Sequence, residues 1–246
     1  GLVIVGIHAP EFEFEKSIDN VRNAVKQYDI RYPVALDNRL DTWVNYRNRY
    51  WPAHYLIDRN GLVVYTHFGE GHYDVTENNI RYLLGLKNKG ENSVALESGF
   101  DERTPETYLG YDRAARYAGR EPIRRDTQEE YSSQDVRASD SWALRGTWKV
   151  EREKIIAGRR NSAIILNFKA RKVFLVLGNA AGKPVHARLR LNGRAIGVDS
   201  GKDAHGGAVV INRHTLYELV DQKKTRPGLL EITCEPGLEA YAFTFG

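Results

Sequence analysis

Residues 50–64 read Tyr50-Trp51-Pro52-Ala53-His54-Tyr55-Leu56-Ile57-Asp58-Arg59-Asn60-Gly61-Leu62-Val63-Val64. The order is a strand opened by a proline, a tight turn on Asp-x-Asn-Gly, and a second strand. Proline has no N–H for a sheet ladder, so at a strand's first residue it marks an edge, a bulge or a cis bond. Gly61 stands where the turn wants a positive φ. Upstream, Leu40, Trp43, Val44, Arg47 and Tyr50 mark a helix. That helix must end before Pro52, because proline restricts the residue preceding it.

Working outward, an apolar strand over Leu2–Ile7 ends in His8-Ala9-Pro10-Glu11. Phe14, Ile18, Val21, Val25 and Tyr28 then recur at helical spacing, which predicts an amphipathic helix. Tyr32–Leu36 reads as a short strand. Thr76 can cap a last helix carrying Ile80, Leu83 and Leu84, with Gly85 as its stop. The order β-α-β-α-β-β-α over residues 1–88 predicts an α/β domain.

Residues 89–104 lose periodicity and read as a linker. Apolar character returns at Thr104–Gly110, and 112–140 is polar and reads as irregular. From Trp142 the period becomes two. Val185, Ala187, Leu189 and Leu191 alternate with His186, Arg188, Arg190 and Asn192, the mark of a half-buried antiparallel strand. Further short strands are predicted near 142–152, 162–168, 172–178, 207–213, 229–235 and 238–245. This spacing predicts an all-β sandwich or jelly roll over 105–246.

Composition excludes several classes. The 246 residues are 41% hydrophobic and 28% charged, near the averages for globular proteins, and hold no membrane-length apolar run. Net charge is +4, with both signs interspersed, which argues against a nucleic-acid partner. The chain opens on Gly-Leu-Val-Ile-Val-Gly-Ile and contains no methionine, so it is expected to be a piece of a longer product. The single cysteine, Cys234, lies on the apolar side of a late strand and reads as a small hydrophobe. One cysteine cannot form an internal disulfide. The seven histidines show no ligand spacing, and no metal site is predicted.

Three stretches carry a family resemblance: Val5-Gly6-Ile7-His8-Ala9-Pro10-Glu11-Phe12-x-Phe14-Glu15, Tyr32-Pro33-Val34-Ala35-Leu36-Asp37-Asn38, and Asn45-Tyr46-Arg47-Asn48-Arg49-Tyr50-Trp51-Pro52-Ala53. Together with Thr104–Gly110 and Ala143-Leu144-Arg145-Gly146-x-Trp148, they resemble the extracytoplasmic region of DipZ-type thiol-disulfide proteins. The resemblance implies a TlpA/ResA-like thioredoxin domain, here N-terminally incomplete, then a β-sandwich resembling carbohydrate-binding modules. It further implies a membrane-tethered, extracytoplasmic thiol-disulfide oxidoreductase, fed by a CcdA-like electron-relay segment. Its partners would be protein thiols and disulfides, and no cofactor is implied. The family's Cys-x-x-Cys pair is absent and is expected upstream of Gly1. Two alternatives stand beside this reading: a glycan or cell-wall binding module, and a redox-inactive interaction domain.

The same resemblance assigns candidate residues. Pro52 and Trp51 would present backbone to an extended substrate beside the reactive sulfur. Glu11 would accept the thiol's proton, since the thiolate is the attacking species. Trp43, at helical spacing, reads as core. In the β domain, stacking on a sugar ring needs exposed aromatics, for which Trp142, Trp148, Tyr217 and Tyr241 are candidates, with Arg188 and Arg190 as polar contacts.

Overall fold

A computed structural model describes residues 1–87, 103–133, 136–179 and 182–246. The chain divides into two compact units, Gly1–Ser98 and Gly99–Gly246. The expected linker falls mainly on 89–102, outside the described residues. Of its last two residues, Thr104 gives its N–H to the Lys169 carbonyl at 2.9 Å.

The N-terminal unit contains β1 (Gly6–His8), α1 (Ile18–Gln27), β2 (Val34–Leu36), α2 (Asp41–Asn45), β3 (Ala53–Ile57), β4 (Val63–Phe68) and α3 (Tyr73–Leu83). β1 pairs in parallel with β2, and β3 antiparallel with β4, giving two separate two-stranded ladders. Several boundaries differ from the sequence expectation. The first strand is short, and Leu2–Val5 runs exposed ahead of it. The helix expected from Phe14 breaks at Ser17, with a 3₁₀ turn over Glu13–Lys16 before α1. α2 stops at Asn45, far short of Tyr50, and Arg47 takes φ +53°. α3 starts at Tyr73, so Thr76 lies inside it and gives its N–H to the His72 carbonyl at 3.0 Å.

Two local devices explain how short elements hold in this unit. Asp37 is buried, and its carboxylate accepts the N–H groups of Thr42 (3.0 Å) and Trp43 (2.8 Å) at the start of α2. Burial alone would raise its pKa; those donors, together with the Thr42 side chain and the Asp41 main chain, outweigh it and hold the group below the usual carboxylate range. At the hairpin tip the Asp58 carboxylate accepts from Asn60 and Leu62 N–H, both at 2.9 Å, while Gly61 takes φ +82°.

The C-terminal unit is one large ten-stranded sheet: β5 (Thr107–Tyr108), β6 (Gln128–Ser132), β7 (Trp142–Val150), β8 (Ile155–Ala157), β9 (Ser162–Asn179), β10 (Val185–Leu191), β11 (Arg194–Ala195), β12 (Ala208–Ile211), β13 (Thr215–Cys234) and β14 (Leu238–Phe245). β6 lies inside the stretch read as irregular. β9 and β13 are continuous strands where the sequence suggested shorter pieces. β9 pairs with β7 through Ala163–Leu166 and with β14 through Val173–Asn179. β14 also pairs with β8, and β8 with β7, so the pairing closes a circuit. At Gly146, φ is +81° and a Cβ would sit 2.9 Å from the Ser162 Cα. There β7 leaves β9 and turns to β8.

Farther along, β13 carries a register shift between Asp221 and Arg226, opposite Ala170–Lys172 of β9. Fully buried Gln222 fills that bulge, donating to the carbonyls of Ala170 (2.9 Å) and Arg226 (3.1 Å). A buried amide left unpaired here would cost about 1–3 kcal/mol. Trp142, Trp148, Phe168, Phe243 and the inward residues of β10 join one apolar core. Trp148→Ala should therefore lower the unit's stability by about 3–5 kcal/mol, read by urea unfolding.

One buried charge group adds a pH dependence. Glu239 is 1% exposed and accepts from Lys154 Nζ (2.6 Å), His214 Nε2 (2.7 Å) and the Tyr241 hydroxyl (3.1 Å). Burial pushes its pKa up, but His214 and Lys154 more than reverse this and bring it to about 2. A depressed carboxylate stabilises the fold above its unfolded pKa and loses that contribution as pH falls through the folded one. The wild-type C-terminal unit should lose ~3 kcal/mol between pH 4.5 and 2 through this group. Glu239→Gln should flatten that slope in acid-unfolding curves.

Candidate functional site

The turn before β3 is built from several weak restraints that converge on Trp51. Asn48 Nδ2 donates to the Tyr50 carbonyl at 2.9 Å, and the Tyr55 hydroxyl donates to Asn48 Oδ1 at 3.0 Å. The Trp51–Pro52 peptide is cis, and the Pro52 carbonyl accepts the Gly69 N–H at 2.8 Å, opening the β3–β4 ladder. Trp51 gives its indole N–H to the Ala9 carbonyl at 3.0 Å, joining this turn to the end of β1. Trp43 packs its ring on Trp51, with centroids 4.2 Å apart. Trp43 is half-buried rather than enclosed, and it backs the Trp51 ring.

Trp51 is 46% exposed. Among the described residues its own N–H and carbonyl take no hydrogen bond, so both main-chain groups beside Pro52 are unpaired. β1 and β3 each present an edge with no strand partner among the described residues. Ile7, Leu2, Val3, Ile4 and Val5 are 46–81% exposed. An unpaired edge bordered by apolar side chains is a surface for strand addition.

Glu11 follows β1, close in sequence to Ala9, and is half-buried. It gives its N–H to the Glu15 carboxylate at 2.7 Å, and Phe12 gives its own at 3.4 Å. His8 Nε2 bonds the Glu15 carbonyl at 3.0 Å. Burial pushes the Glu15 pKa up, against the pull of those two N–H groups. Sequence reading passed over Glu15 as a site residue. A glutamate four residues after Glu11, opening a helical turn, was the available signal. In a carboxyl-carbon NMR titration Glu15 should protonate above the ordinary glutamate range, and Gln at this position should remove that titration.

Cys234 is 2% exposed, and burial pushes its thiol well up, so it supplies no thiolate at neutral pH. His67 lies between His54 and His72, with ring centroids 6.0 and 5.1 Å away. Among the described residues no three ligating side chains converge on one point.

The aromatic candidates of the β unit lie inside it. Trp142 and Trp148 are 0% exposed, and Tyr241 and Tyr217 are also buried. The indole N–H groups bond the Ala115 and Arg145 carbonyls, both at 2.9 Å. None of these rings offers a face to a sugar, so the glycan assignment of Trp142, Trp148 and Tyr241 is corrected to core. Period-two alternation told which residues share a face, but not which face of those strands was inward. Arg188 and Arg190 are exposed on β10; Arg190 Nη2 turns back to the Gly193 carbonyl at 2.5 Å.

Comparison with known proteins adds four findings. Residues 104–246 match the family described as "Thioredoxin like C-terminal domain". Protein DipZ from Mycobacterium tuberculosis is 34% identical over 253 residues, covering 100% of this chain and 34% of DipZ. This chain thus spans about a third of the length of that relative. Thiol-disulfide oxidoreductase ResA from Bacillus cereus is 37% identical over 70 residues, 28% of this chain and 38% of ResA. Among solved structures, a family two carbohydrate esterase from Cellvibrio japonicus aligns with a TM-score of 0.33 and 9% identity. That alignment covers 42% of this chain and 30% of the esterase.

Proposed function

Because this chain belongs to the family of the thioredoxin-like C-terminal domain and is homologous along its whole length to DipZ, we propose that it is the substrate-recognition and support portion of an extracytoplasmic thiol-disulfide oxidoreductase. The observation that carries this reading is the unbonded main chain of the half-exposed Trp51 next to Pro52, pinned by its indole against the end of β1. An extended substrate segment can add there by main-chain hydrogen bonds. The N-terminal unit is read as the incomplete half of a TlpA-like α/β fold, and the closed pairing of the other unit as a sandwich-like β domain.

The reactive Cys-x-x-Cys pair is placed on a segment N-terminal to Gly1. That segment's strand would lie between the open edges of β1 and β3, beside the exposed residues Leu2–Val5. One thiolate of the pair attacks a substrate disulfide; its S–S bond breaks and a mixed disulfide forms. The departing substrate sulfur leaves as thiolate and takes a proton. The second thiol, deprotonated, then attacks the mixed disulfide, releasing reduced substrate and leaving the pair oxidised. Glu11 is the carboxylate offered to the attacking thiol, and Glu15 fixes its main chain. Electrons return through a membrane relay of the CcdA-like kind.

An insulin-reduction assay on the full-length product tests this. Dithiol-dependent turnover is expected, and Trp51→Ala, which removes the indole bond that pins this main chain to Ala9, should raise KM for a disulfide-bonded peptide about tenfold with a smaller change in kcat, a loss of about 1.4 kcal/mol in binding. Turnover equal to buffer, or a Trp51→Ala enzyme indistinguishable from wild type, would defeat the reading.

A further inference from the structure

The C-terminal unit pairs most of its partly buried cations. Arg145 meets Glu231 (2.7 Å), Lys154 meets Glu239 (2.6 Å), and Lys172 meets Glu218 and Asp221 (both 3.1 Å). The segment 116–125 departs from this. Arg116, Arg120, Arg124 and Arg125 are all exposed, and among the described residues none forms an ion pair with a carboxylate. Glu121 is the one acid within the segment. Its carboxylate is held by the Ser132 N–H (3.0 Å) and hydroxyl, and lies below the usual range. Ten residues thus carry a net +3, in a chain whose total is +4.

This is not a loose tail. The Arg116 carbonyl accepts the Trp142 N–H (3.2 Å), and Ala118 returns its N–H to the Trp142 carbonyl (2.8 Å). The N–H groups of Arg120 and Arg124 go to the Ser133 hydroxyl (2.8 Å) and the Tyr131 hydroxyl (3.2 Å). Asp126 gives its N–H to the Val150 carbonyl at 2.8 Å. Tyr117 and Ile123 point inward and pack on the core. The backbone is therefore fixed by β6, β7 and their flanks while the arginines stand outward. Like charges held on a fixed backbone repel, and an array of anions relieves that repulsion.

We propose that segment 116–125 is a docking surface for the anionic phospholipid headgroups of a membrane. Guanidinium groups suit phosphate because their fork of donors binds two oxygens at once. Base stacking, by contrast, needs open ring faces. One face each of the Tyr108 and Tyr111 rings is occupied by the Arg113 and Arg125 guanidiniums, at 3.7 and 4.9 Å, and Tyr111 and Tyr117 pack on the core. A flat array of phosphates needs no such platform. This surface lies in the other unit from Trp51 and is independent of the exchange reading.

Flotation of the whole chain with phosphatidylglycerol vesicles, against pure phosphatidylcholine vesicles, tests the proposal. Binding to the anionic vesicles alone, released by high salt, is expected. R116Q/R120Q/R124Q/R125Q should lower partitioning about 100–1,000-fold, at roughly fivefold per arginine. Because the pins are main-chain groups, the variant should keep the wild-type unfolding curve; if it does not, the R120Q/R124Q pair should still lower partitioning about 25-fold. A control that removes the same charge elsewhere, K183Q/K202Q/K223Q/K224Q, should bind nearly as wild type. Equal binding to both vesicle types, equal loss in the control, or retention of RNA or polyglutamate without vesicle binding would overturn it.

Discussion

The hydrogen bond from the Trp51 indole to the Ala9 carbonyl, bridging 42 positions of sequence, ties the N-terminal unit's two ladders to one site. β1 with β2 and β3 with β4 share no ladder among the described residues. This bond brings the end of the one and the start of the other to a common point. The Trp43 ring behind Trp51 limits where that indole can lie, and proline at 52 fixes where β3 begins. Unbonded main chain, an exposed aromatic and the glutamates after β1 thus belong to the same end of the unit.

The two units differ sharply in how they satisfy the hydrophobic effect. Among the described residues, Pro10, Phe12 and Asp37 are the N-terminal unit's only buried side chains, and α1, α2 and α3 bury none. Its apolar strand and helix faces are only partly covered. The C-terminal unit encloses tryptophans, aliphatic residues and even a carboxylate. A chain with one well-filled core and one open apolar surface places its stability in the first and its capacity to receive another segment in the second.

Much of this was legible from sequence, where local chemistry is decisive. β10 shows its alternation residue by residue, Gly61 adopts the positive φ its turn requires, and Pro52 opens β3. What escaped was set by distant contacts. The polar run Gln222–Arg226 reads as a connection between strands, yet β13 continues through it because Gln222 turns its amide into the bulge. Lys169–Lys172 hid the continuity of β9 in the same way. Trp142, Trp148 and Tyr241 have the composition of a sugar platform, and only tertiary packing decides that they face inward. Glu15 was missed for a related reason. Its importance comes from two backbone donors that a 3₁₀ turn aims at it, and residue type alone does not reveal that turn.

Burial also decides which sulfur chemistry this chain can support. A thiol nucleophile must ionise and meet its substrate, and Cys234 does neither, sealed between strands with its charge form disfavoured by desolvation. Under the proposed function, this chain's part in exchange is to hold and orient: main chain at Trp51, an indole locked to Ala9, and Glu11 anchored through Glu15. None of them reacts with a disulfide. On that proposal their arrangement acts with a thiolate beside them, and the unpaired edges of β1 and β3 are where a strand carrying it would enter.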